Sequence, residues 1–279
     1  VAKITATILF IIMPLGDAVS TFEVLNKATV AVTNLTNLEE RLKEDTLGAL
    51  EDPKLENLFD GFNTIKFNDL NFAYRDIVGI DQFGIGPINF EVKKGESIFI
   101  IGGNGSGKST LIKIITGLYS QDSGEILIDG IPITSENIQE YRNLFGVIFS
   151  DFFLFSELYG IKDLETANVV KLLRQMQLAD KTGFKEGAFT NTNLSTGQRK
   201  RLAMISVILE NKNILVFDEW AADQDPEFRK YFYHELLPVF KKQGKTIIAI
   251  THDDHYFDKA DRIYKMDYGT FSEFSIDNQ

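Results

Sequence analysis

The sequence predicts an α/β protein built around a layered sheet. Three short runs show no polar alternation, since each has four consecutive apolar residues after one polar residue: 97–101 ("SIFII"), 213–217 ("NILVF") and 246–250 ("TIIAI"). Continuous apolar runs of this kind are typical of parallel strands that are buried on both faces. Helical patterns separate the three runs along the chain, and such an order of strands and helices favours helices packed against a sheet.

Composition and charge narrow the classes of function. The chain has 279 residues, of which 44% are hydrophobic and 25% charged, enough for one large domain or a domain with an appendage. Its formal net charge of −11 argues against general binding to a nucleic acid backbone. Phosphate chemistry is therefore expected only at loops and helix ends. The sequence has no cysteine, which excludes disulfides and thiolate metal sites and fits a reducing compartment.

The beginning of the chain is strongly apolar. Residues 4–15 read "ITATILFIIMPL", a run shorter than the roughly 20 residues that a membrane-spanning helix needs. The first residue is Val1, and no small-residue cleavage site stands out, which disfavours a signal peptide. We interpret the run as the end of a transmembrane helix; the alternative is a helix buried in a protein core.

A helical pattern follows this apolar run. Leu35, Leu38 and Leu42 recur at helical spacing among charged residues, until Gly48 and Pro53 interrupt the pattern. The sequence thus predicts a long helix that leaves the membrane and continues into water.

The globular part is predicted to span residues 59–279, with residues 1–58 forming the transmembrane end and a linking helix. Residues 65–74 and 84–92 have the character of two β-strands separated by a turn-rich insert. Mainly helical patterns between about 139 and 205 predict a helical subdomain.

A phosphate-binding loop follows the first apolar strand. The segment 102–110, "GGNGSGKST", fits the pattern G-x-x-x-x-G-K-[ST] between a strand and a helix. Its glycines let backbone N–H groups point at phosphate oxygens, Lys108 reaches the β- and γ-phosphates, and the Ser109 hydroxyl binds Mg²⁺. The segment predicts a site for ATP and Mg²⁺, with the binding residues Gly102, Asn104, Gly105, Ser106, Gly107, Lys108, Ser109 and Thr110.

Two adjacent carboxylates end the second apolar run, in "NILVFDEW". Asp218 is expected to hold Mg²⁺ through a water molecule, as the second acidic element of such sites. Successive strand residues point in opposite directions, so Glu219 is expected to face an attacking water. The alternative is a solvated acidic strand end.

A histidine follows the third apolar run. His252 stands at the carboxyl end of that strand, where ligands bind in α/β sheets, and could orient the attacking water against the γ-phosphate. The alternative is a structural histidine, which is the interpretation we give to His234 and His255.

The segment 194–204, "LSTGQRKRLAM", predicts a second phosphate site. A Ser-Thr-Gly turn precedes a helix that starts with Arg199, Lys200 and Arg201. Free N–H groups and the helix dipole favour anions at such a start. One domain thus has two candidate phosphate loops.

These four motifs resemble, in order and spacing, the nucleotide-binding domain of ABC ATPases. The segment Leu194–Gln198 is similar to the family's LSGGQ signature, with Thr196 in place of the first Gly. Domains of that family pair head to tail, and the signature of one chain caps the γ-phosphate held by the other. The resemblance implies a homodimer in which Ser195, Gly197 and Gln198 act on the partner's ATP.

The same resemblance bears on three further residues. Tyr74 has the role of the adenine-stacking residue, although its spacing alone allows an ordinary exposed strand tyrosine. Asp225 corresponds to the aspartate of the loop that crosses the dimer. Ser150 stands where the family usually has a Gln that reaches Mg²⁺ and water; because Ser is shorter, it is expected to act on the metal only through a water.

A narrower resemblance concerns the cyclic-peptide export subfamily of bacterial ABC exporters. The segments "LSTGQRKRLA", "DEWAADQDPEFR" and "ITHDDHYFDKADRIYKM" carry it. It implies an ABC-type ATPase domain with a mixed sheet core, an antiparallel β subdomain and a helical subdomain, preceded by the end of a transmembrane helix. The whole protein is then a multi-pass half-transporter of the inner membrane, with its ATPase domain in the cytoplasm, which exports a peptide or siderophore-like compound.

Three other functions fit the sequence less well. A soluble ABC ATPase acting on DNA or ribosomes would need a coiled-coil insert, zinc-binding cysteines, tandem domains or a basic face, none of which the sequence has. A non-catalytic binding module would lack Glu219 or Lys108. An ATPase subunit of an importer remains an alternative, against which the apolar residues 4–15 argue.

Overall fold

The computed structural model describes residues 21–22, 24–36, 39, 58–75, 81–161 and 164–275. The chain divides into two compact units, Val1–Asp52 and Pro53–Gln279. In the first unit, residues 21–22 and 24–36 are helical. No helix among the described residues combines the length and apolarity needed to cross a membrane. The predicted transmembrane end at 4–15 lies outside the described residues.

The second unit contains two sheets, a short hairpin and surrounding helices. Its strands are β1 (Thr64–Arg75), β2 (Asp81–Lys93), β3 (Ser97–Ile101), β4 (Ser123–Ile128), β5 (Ile131–Pro132), β6 (Phe145–Ile148), β7 (Phe184–Lys185), β8 (Ala188–Phe189), β9 (Ile214–Asp218), β10 (Thr246–Ile250), β11 (Arg262–Asp267) and β12 (Thr270–Phe274). Its α-helices are α1 (Lys108–Ile115), α2 (Ile138–Arg142), α3 (Thr166–Gln175), α4 (Thr196–Glu210), α5 (Pro226–Tyr231) and α6 (Leu237–Lys242). A π-helical turn, Phe232–Leu236, joins α5 to α6, and 3₁₀ turns span Ala221–Asp223 and Asp254–Lys259.

The larger sheet is the predicted layered core. Its strand order is β12-β11-β3-β10-β9-β6, and all strands except β12 run parallel. In this sheet Ile248 of β10 pairs with Ile98 on one side and Val216 on the other. The three apolar runs of the sequence are thus adjacent central strands, which confirms the predicted fold class.

Alternate residues of these strands enter two hydrophobic cores. On one face Ile98, Ile100 and Val216 pack with α1 and with the antiparallel sheet β2-β1-β4-β5. On the other face Phe99 and Phe217 pack with α4, α5 and α6. Because both faces are covered, the strands carry no polar alternation, and each fully buried aliphatic or aromatic side chain contributes about 1.5–3 kcal/mol.

The predicted helical stretch from about 139 to 205 is not helical throughout. It begins within α2 but includes β6, which pairs in parallel with β9 and belongs to the large sheet. It also includes the β7–β8 hairpin. The four-residue run "FGVI" of β6 is too short to stand out from helical patterns on both sides, and only its pairing with β9 makes it a strand.

Candidate active site

The phosphate-binding loop connects β3 to α1, and the fold leaves little room at two of its glycines. Gly107 has φ of 110°, and a Cβ there would lie 2.6 Å from Cγ2 of Ile85. Gly102 has φ of 147°, and a Cβ there would overlap the carbonyl oxygen of Met266. Gly107 also precedes α1 without any side-chain cap. The first N–H groups of α1 therefore remain available to a ligand.

Lys108 is buried at the base of this loop, with 5% of its surface exposed. Its Nζ donates to the carbonyl oxygens of Gly102 and Gly103 at 3.0 and 2.9 Å, and lies 3.9 Å from Oε1 of Glu219. Burial lowers the pKa of the ammonium, although the Glu219 and Asp218 carboxylates act in the opposite direction. The structure thus brings the predicted lysine and both predicted carboxylates together.

Asp218 ends β9 and is almost completely buried. Its Oδ2 accepts a hydrogen bond of 3.0 Å from the hydroxyl of Ser150, which lies just after the neighbouring strand β6. Its Oδ1 has no hydrogen-bond partner among the described residues, and the same holds for Oγ of Ser106 in the loop. A buried carboxylate oxygen without a partner is costly. Such an oxygen is suited to a metal-bound water.

Glu219 follows β9, and strand alternation does not set its direction. Its φ is 51°, a left-handed conformation that costs a non-glycine residue about 1–2 kcal/mol. Its N–H donates to the carbonyl oxygen of Ile250 at 3.2 Å. In this conformation Oε1 lies 3.2 Å from Nε2 of His252. The left-handed backbone, and not strand alternation, therefore accompanies this position of the carboxylate, and the role of Glu219 toward a water stays a prediction.

A cleft of about 500 Å³ opens over the loop. Its lining residues are Phe83, Asn104, Gly105, Gly107, Lys108, Ser109, Thr110 and Glu219. Tyr74 does not line the cleft but adjoins it, since its hydroxyl lies 3.4 Å from Oγ1 of Thr110. Phe83 pairs with Tyr74 across β1 and β2 and was not predicted as a site residue. The sequence signal that could have identified Phe83 is its position opposite Tyr74 in the predicted pair of strands.

The signature segment begins α4 directly. Ser195 is the N-cap, and Thr196 and Gly197 already belong to the first turn, so no separate turn precedes the helix. Oγ of Ser195 accepts from the Gln198 N–H, and Oε1 of Gln198 accepts from the Ser195 N–H, at 3.4 and 3.2 Å. This is a capping box. Among the described residues, none of 194–198 lines the cleft over the phosphate-binding loop.

Two of the three basic residues of the signature helix bind within their own chain. Lys200 is 1% exposed and pairs with Asp223 at 2.7 Å. Arg201 is also buried; it pairs with Asp225 and lies 3.6 Å from the centroid of the Phe228 ring. The side chains of Lys200 and Arg201 are therefore already paired and are not available to an anion at the helix start.

The segment after Glu219 packs against the signature. A Cβ on Gly197 would overlap the carbonyl oxygen of Asp223, and Nε2 of Gln224 donates to the Gly197 carbonyl at 3.2 Å. Asp225 caps α5 by accepting from the Phe228 N–H at 2.9 Å. This hydrogen bond, together with Arg201, lowers the pKa of the Asp225 carboxyl.

Comparison with known proteins supports the predicted resemblance. Residues 85–222 match the family model for the ABC transporter. The chain is 40% identical to the ATP-binding protein SyrD of Pseudomonas syringae pv. syringae, over 93% of this chain but only 47% of SyrD. It therefore spans about half the length of that relative.

Two further similarities cover the same domain. The chain is 30% identical to the energy-coupling factor transporter ATP-binding protein EcfA1 of Oenococcus oeni, over 77% of this chain and 80% of that protein. It superposes on a bacterial Atm1-family ABC exporter with ATP bound at a TM-score of 0.64 and 25% identity, covering 76% of this chain and 38% of the other. The chain belongs to the ABC transporter family, as an ATP-binding and ATP-hydrolysing domain.

Proposed function

We propose that this ATPase domain powers the export of a peptide or siderophore-like compound, as part of a half-transporter that works as a homodimer in the inner membrane. Residues 59–279 form the ATPase domain in the cytoplasm, and residues 1–58 link it to the transmembrane part. One observation carries the catalytic assignment: Oε1 of Glu219 lies between Nε2 of His252 and Nζ of Lys108, at 3.2 and 3.9 Å, on the lining of the cleft.

The proposed reaction is in-line attack of water on the γ-phosphate, driven by positioning and by neutralisation of charge. Glu219 accepts a proton from the water, and His252 holds the Glu219 carboxylate and the water in place. Lys108 neutralises charge that develops on the phosphate oxygens. The N–H groups at the start of α1 and in the loop hold the phosphates.

Mg²⁺ fits the residues at this site. Within the described part of the chain, no three His, Cys, Asp or Glu side chains gather as a metal cage. Mg²⁺ does not need such a cage, because it usually takes one or two carboxylates together with substrate phosphates and waters. Ser109 and the unpaired Oδ1 of Asp218 are the proposed holders, and Ser150 contributes through Asp218. When bound, the ion supplies neutralisation of phosphate charge.

The adenine and the second chain complete the proposed site. Phe83, which lines the cleft, and Tyr74, which adjoins it, are the proposed aromatic contacts of the base. Ser195, Gly197 and Gln198 of one chain cap the ATP held by the second copy. Supporting this, Ser195 is exposed and these residues do not line the cleft of their own chain. In the proposed dimer, Asp225 belongs to the loop that crosses between the ATP sites of the two chains.

The extent of the similarity to SyrD supports a half-transporter. Residues 59–279 are 221 of the 279 residues, about 79% of the chain. An alignment over 93% of the chain must therefore include part of residues 1–58. The alignment with EcfA1 covers 77% and needs none of them. Similarity that continues into the linking segment favours a chain in which the ATPase follows the transmembrane part.

An importer subunit is the second candidate, since EcfA1 is matched over 80% of its length. Inside-out membrane vesicles with the whole transporter distinguish the two directions. ATP-dependent accumulation of a siderophore or cyclic lipopeptide in the vesicle lumen is expected for an exporter. Release of preloaded compound from the lumen on ATP addition would support an importer.

The catalytic assignment is tested by Glu219→Gln. The amide cannot accept a proton, so ATP binding should persist while the rate of hydrolysis falls on the order of 10²–10⁴-fold. Binding is measured with a fluorescent nucleotide and turnover by phosphate release. Glu235→Gln, at an exposed position away from the cleft, is the matched control and should leave turnover unchanged. Near-normal turnover of Glu219→Gln would show that another group activates the water.

A further inference from the structure

Lys200 has a position that the proposed chemistry does not explain. It is among the most completely buried side chains of the described residues, although it carries a charge. Its Nζ donates to the carbonyl oxygen of Glu219 at 2.8 Å and pairs with Oδ2 of Asp223 at 2.7 Å. A buried ammonium needs such partners, because an unpaired charge in a protein interior is very costly. Its surroundings therefore hold Lys200 in one geometry.

A second hydrogen bond joins the same two segments in the opposite direction. Nε1 of Trp220 donates to the main-chain carbonyl oxygen of Lys200 at 3.0 Å. Trp220 is itself buried among Phe217, Phe228 and Phe232. The side chain of Lys200 thus binds the main chain of Glu219. In return, the side chain of Trp220 binds the main chain of Lys200.

These contacts fix the backbone on both sides of Glu219. Its carbonyl oxygen accepts from Lys200, and its N–H donates to Ile250. Between these two anchors Glu219 keeps its left-handed φ of 51°. A left-handed non-glycine residue persists where surrounding contacts over-determine it. With this backbone conformation, Oε1 of Glu219 lies 3.2 Å from Nε2 of His252.

We propose that Lys200 is a positioning residue for Glu219. Lys200 does not line the cleft; it holds the left-handed backbone that presents the Glu219 carboxylate to the attacking water. The inference rests on the proposed role of Glu219 in hydrolysis. Lys200 also lies on α4, the helix that Ser195 caps, so it attaches the signature of each chain to the proposed catalytic carboxylate of that chain. In the proposed dimer, Lys200 therefore connects the signature, which contacts the ATP of the partner chain, to Glu219, which acts on the ATP of its own chain.

The test is a double-mutant cycle in the full chain. Lys200→Met keeps the length of the side chain and removes both polar contacts. We expect nucleotide affinity within about threefold of wild type, and kcat lower by about 10- to 100-fold, since small displacements of catalytic groups have effects of up to 10²-fold. Lys245→Met is the matched control. Nζ of Lys245 also donates to a main-chain carbonyl, that of Asn211 at 2.8 Å, far from the cleft. It should leave kcat unchanged.

The second arm separates positioning from general stability. In a Glu219→Gln background the water has lost its base, so adding Lys200→Met should lower the residual rate no further. If the two losses multiply instead, Lys200 does not act through Glu219 and the proposal is wrong. Unchanged kcat in Lys200→Met alone would also overturn it. If Glu219→Gln alone kept normal turnover, the proposed role of Glu219 would fail, and with it the positioning role.

A shorter polar variant covers the case in which Lys200→Met does not fold. Lys200→Gln keeps a hydrogen-bond donor in the interior but loses the charge and reach of the lysine. It should show the same lower kcat, with binding retained, and the same absence of a further loss in the Glu219→Gln background. Multiplying losses in this cycle count against the proposal in the same way.

Discussion

Residues 102–110 and 194–204 share a few features but use them in opposite ways. Each combines glycine and serine with the start of a helix, with one basic residue in the first segment and three in the second. At the phosphate-binding loop the helix start has no side-chain cap, and Lys108 lies against loop carbonyls on the lining of the cleft. At the signature the helix is closed by a capping box, and Lys200 and Arg201 are paired inside the chain.

A helix start rich in basic residues is therefore not by itself an anion site. What matters is whether the N–H groups and the cations already have partners. The first N–H groups of α1 are free for a ligand, whereas the N–H of Gln198 is bonded to Ser195. The cations of α4 attach the helix to residues 219–225 instead. For the role we propose, the signature must therefore contact ATP that is bound to a second chain.

The largest expected effect tests whether the two loops serve one ATP from different chains. Lys108→Ala and Ser195→Arg should each inactivate a homodimer of the whole transporter, the first with a loss on the order of 10²–10³ in rate. Mixing the two variants leaves one site with both lesions and one with neither. The mixed dimer should regain ATP-dependent closure, measured by cross-linking or by energy transfer between the two chains.

The reciprocal arrangement is the control for this experiment. When both changes lie in one chain that is mixed with wild type, each site of the mixed dimer receives one lesion, and no closure is expected. Closure in this second mixture, and none in the first, would mean that the signature acts within its own chain.

A smaller effect compares a glycine of each loop. Gly197→Ala places a Cβ against the carbonyl oxygen of Asp223, a main-chain atom that cannot move alone, and should destabilise the fold by about 1–3 kcal/mol. Gly103→Ala meets no atom within 4 Å and should change the free energy of unfolding by less than about 0.5 kcal/mol. Urea unfolding of both variants measures the difference, and equal stabilities would show that the signature can accommodate the methyl group.

The smallest effect concerns the capping box. Ser195→Ala removes the acceptor for the Gln198 N–H and should lower stability by about 1 kcal/mol. Thr196→Ala, at the adjacent exposed position, is the control and should remain within about 0.5 kcal/mol of wild type. If both variants unfold at the same urea concentration as wild type, the capping box does not stabilise α4.

Some features could be predicted because their signals lie within short stretches. The strands β3, β9 and β10 follow from runs of four consecutive apolar residues, and the phosphate-binding loop follows from nine consecutive positions. The β1–β2 hairpin was likewise predicted as two strands. The strand β6 lies inside a stretch whose pattern predicts helices. It could not be predicted, because a run of four residues becomes a strand only by pairing with its neighbour β9.

The fold class, the family and the residues around the phosphate-binding loop could be inferred from the sequence, because apolar runs and motif spacing are local properties of the chain. The contacts that these residues make depend on the tertiary structure. Ser150 meets Asp218 across 68 positions of sequence, and Lys200 meets the carbonyl of Glu219 across 19. Such contacts depend on which strands and helices become neighbours. Because of this packing, Lys200 and Arg201, next to the signature, bind residues 219–225, whereas Lys108 binds the carbonyl oxygens of its own loop.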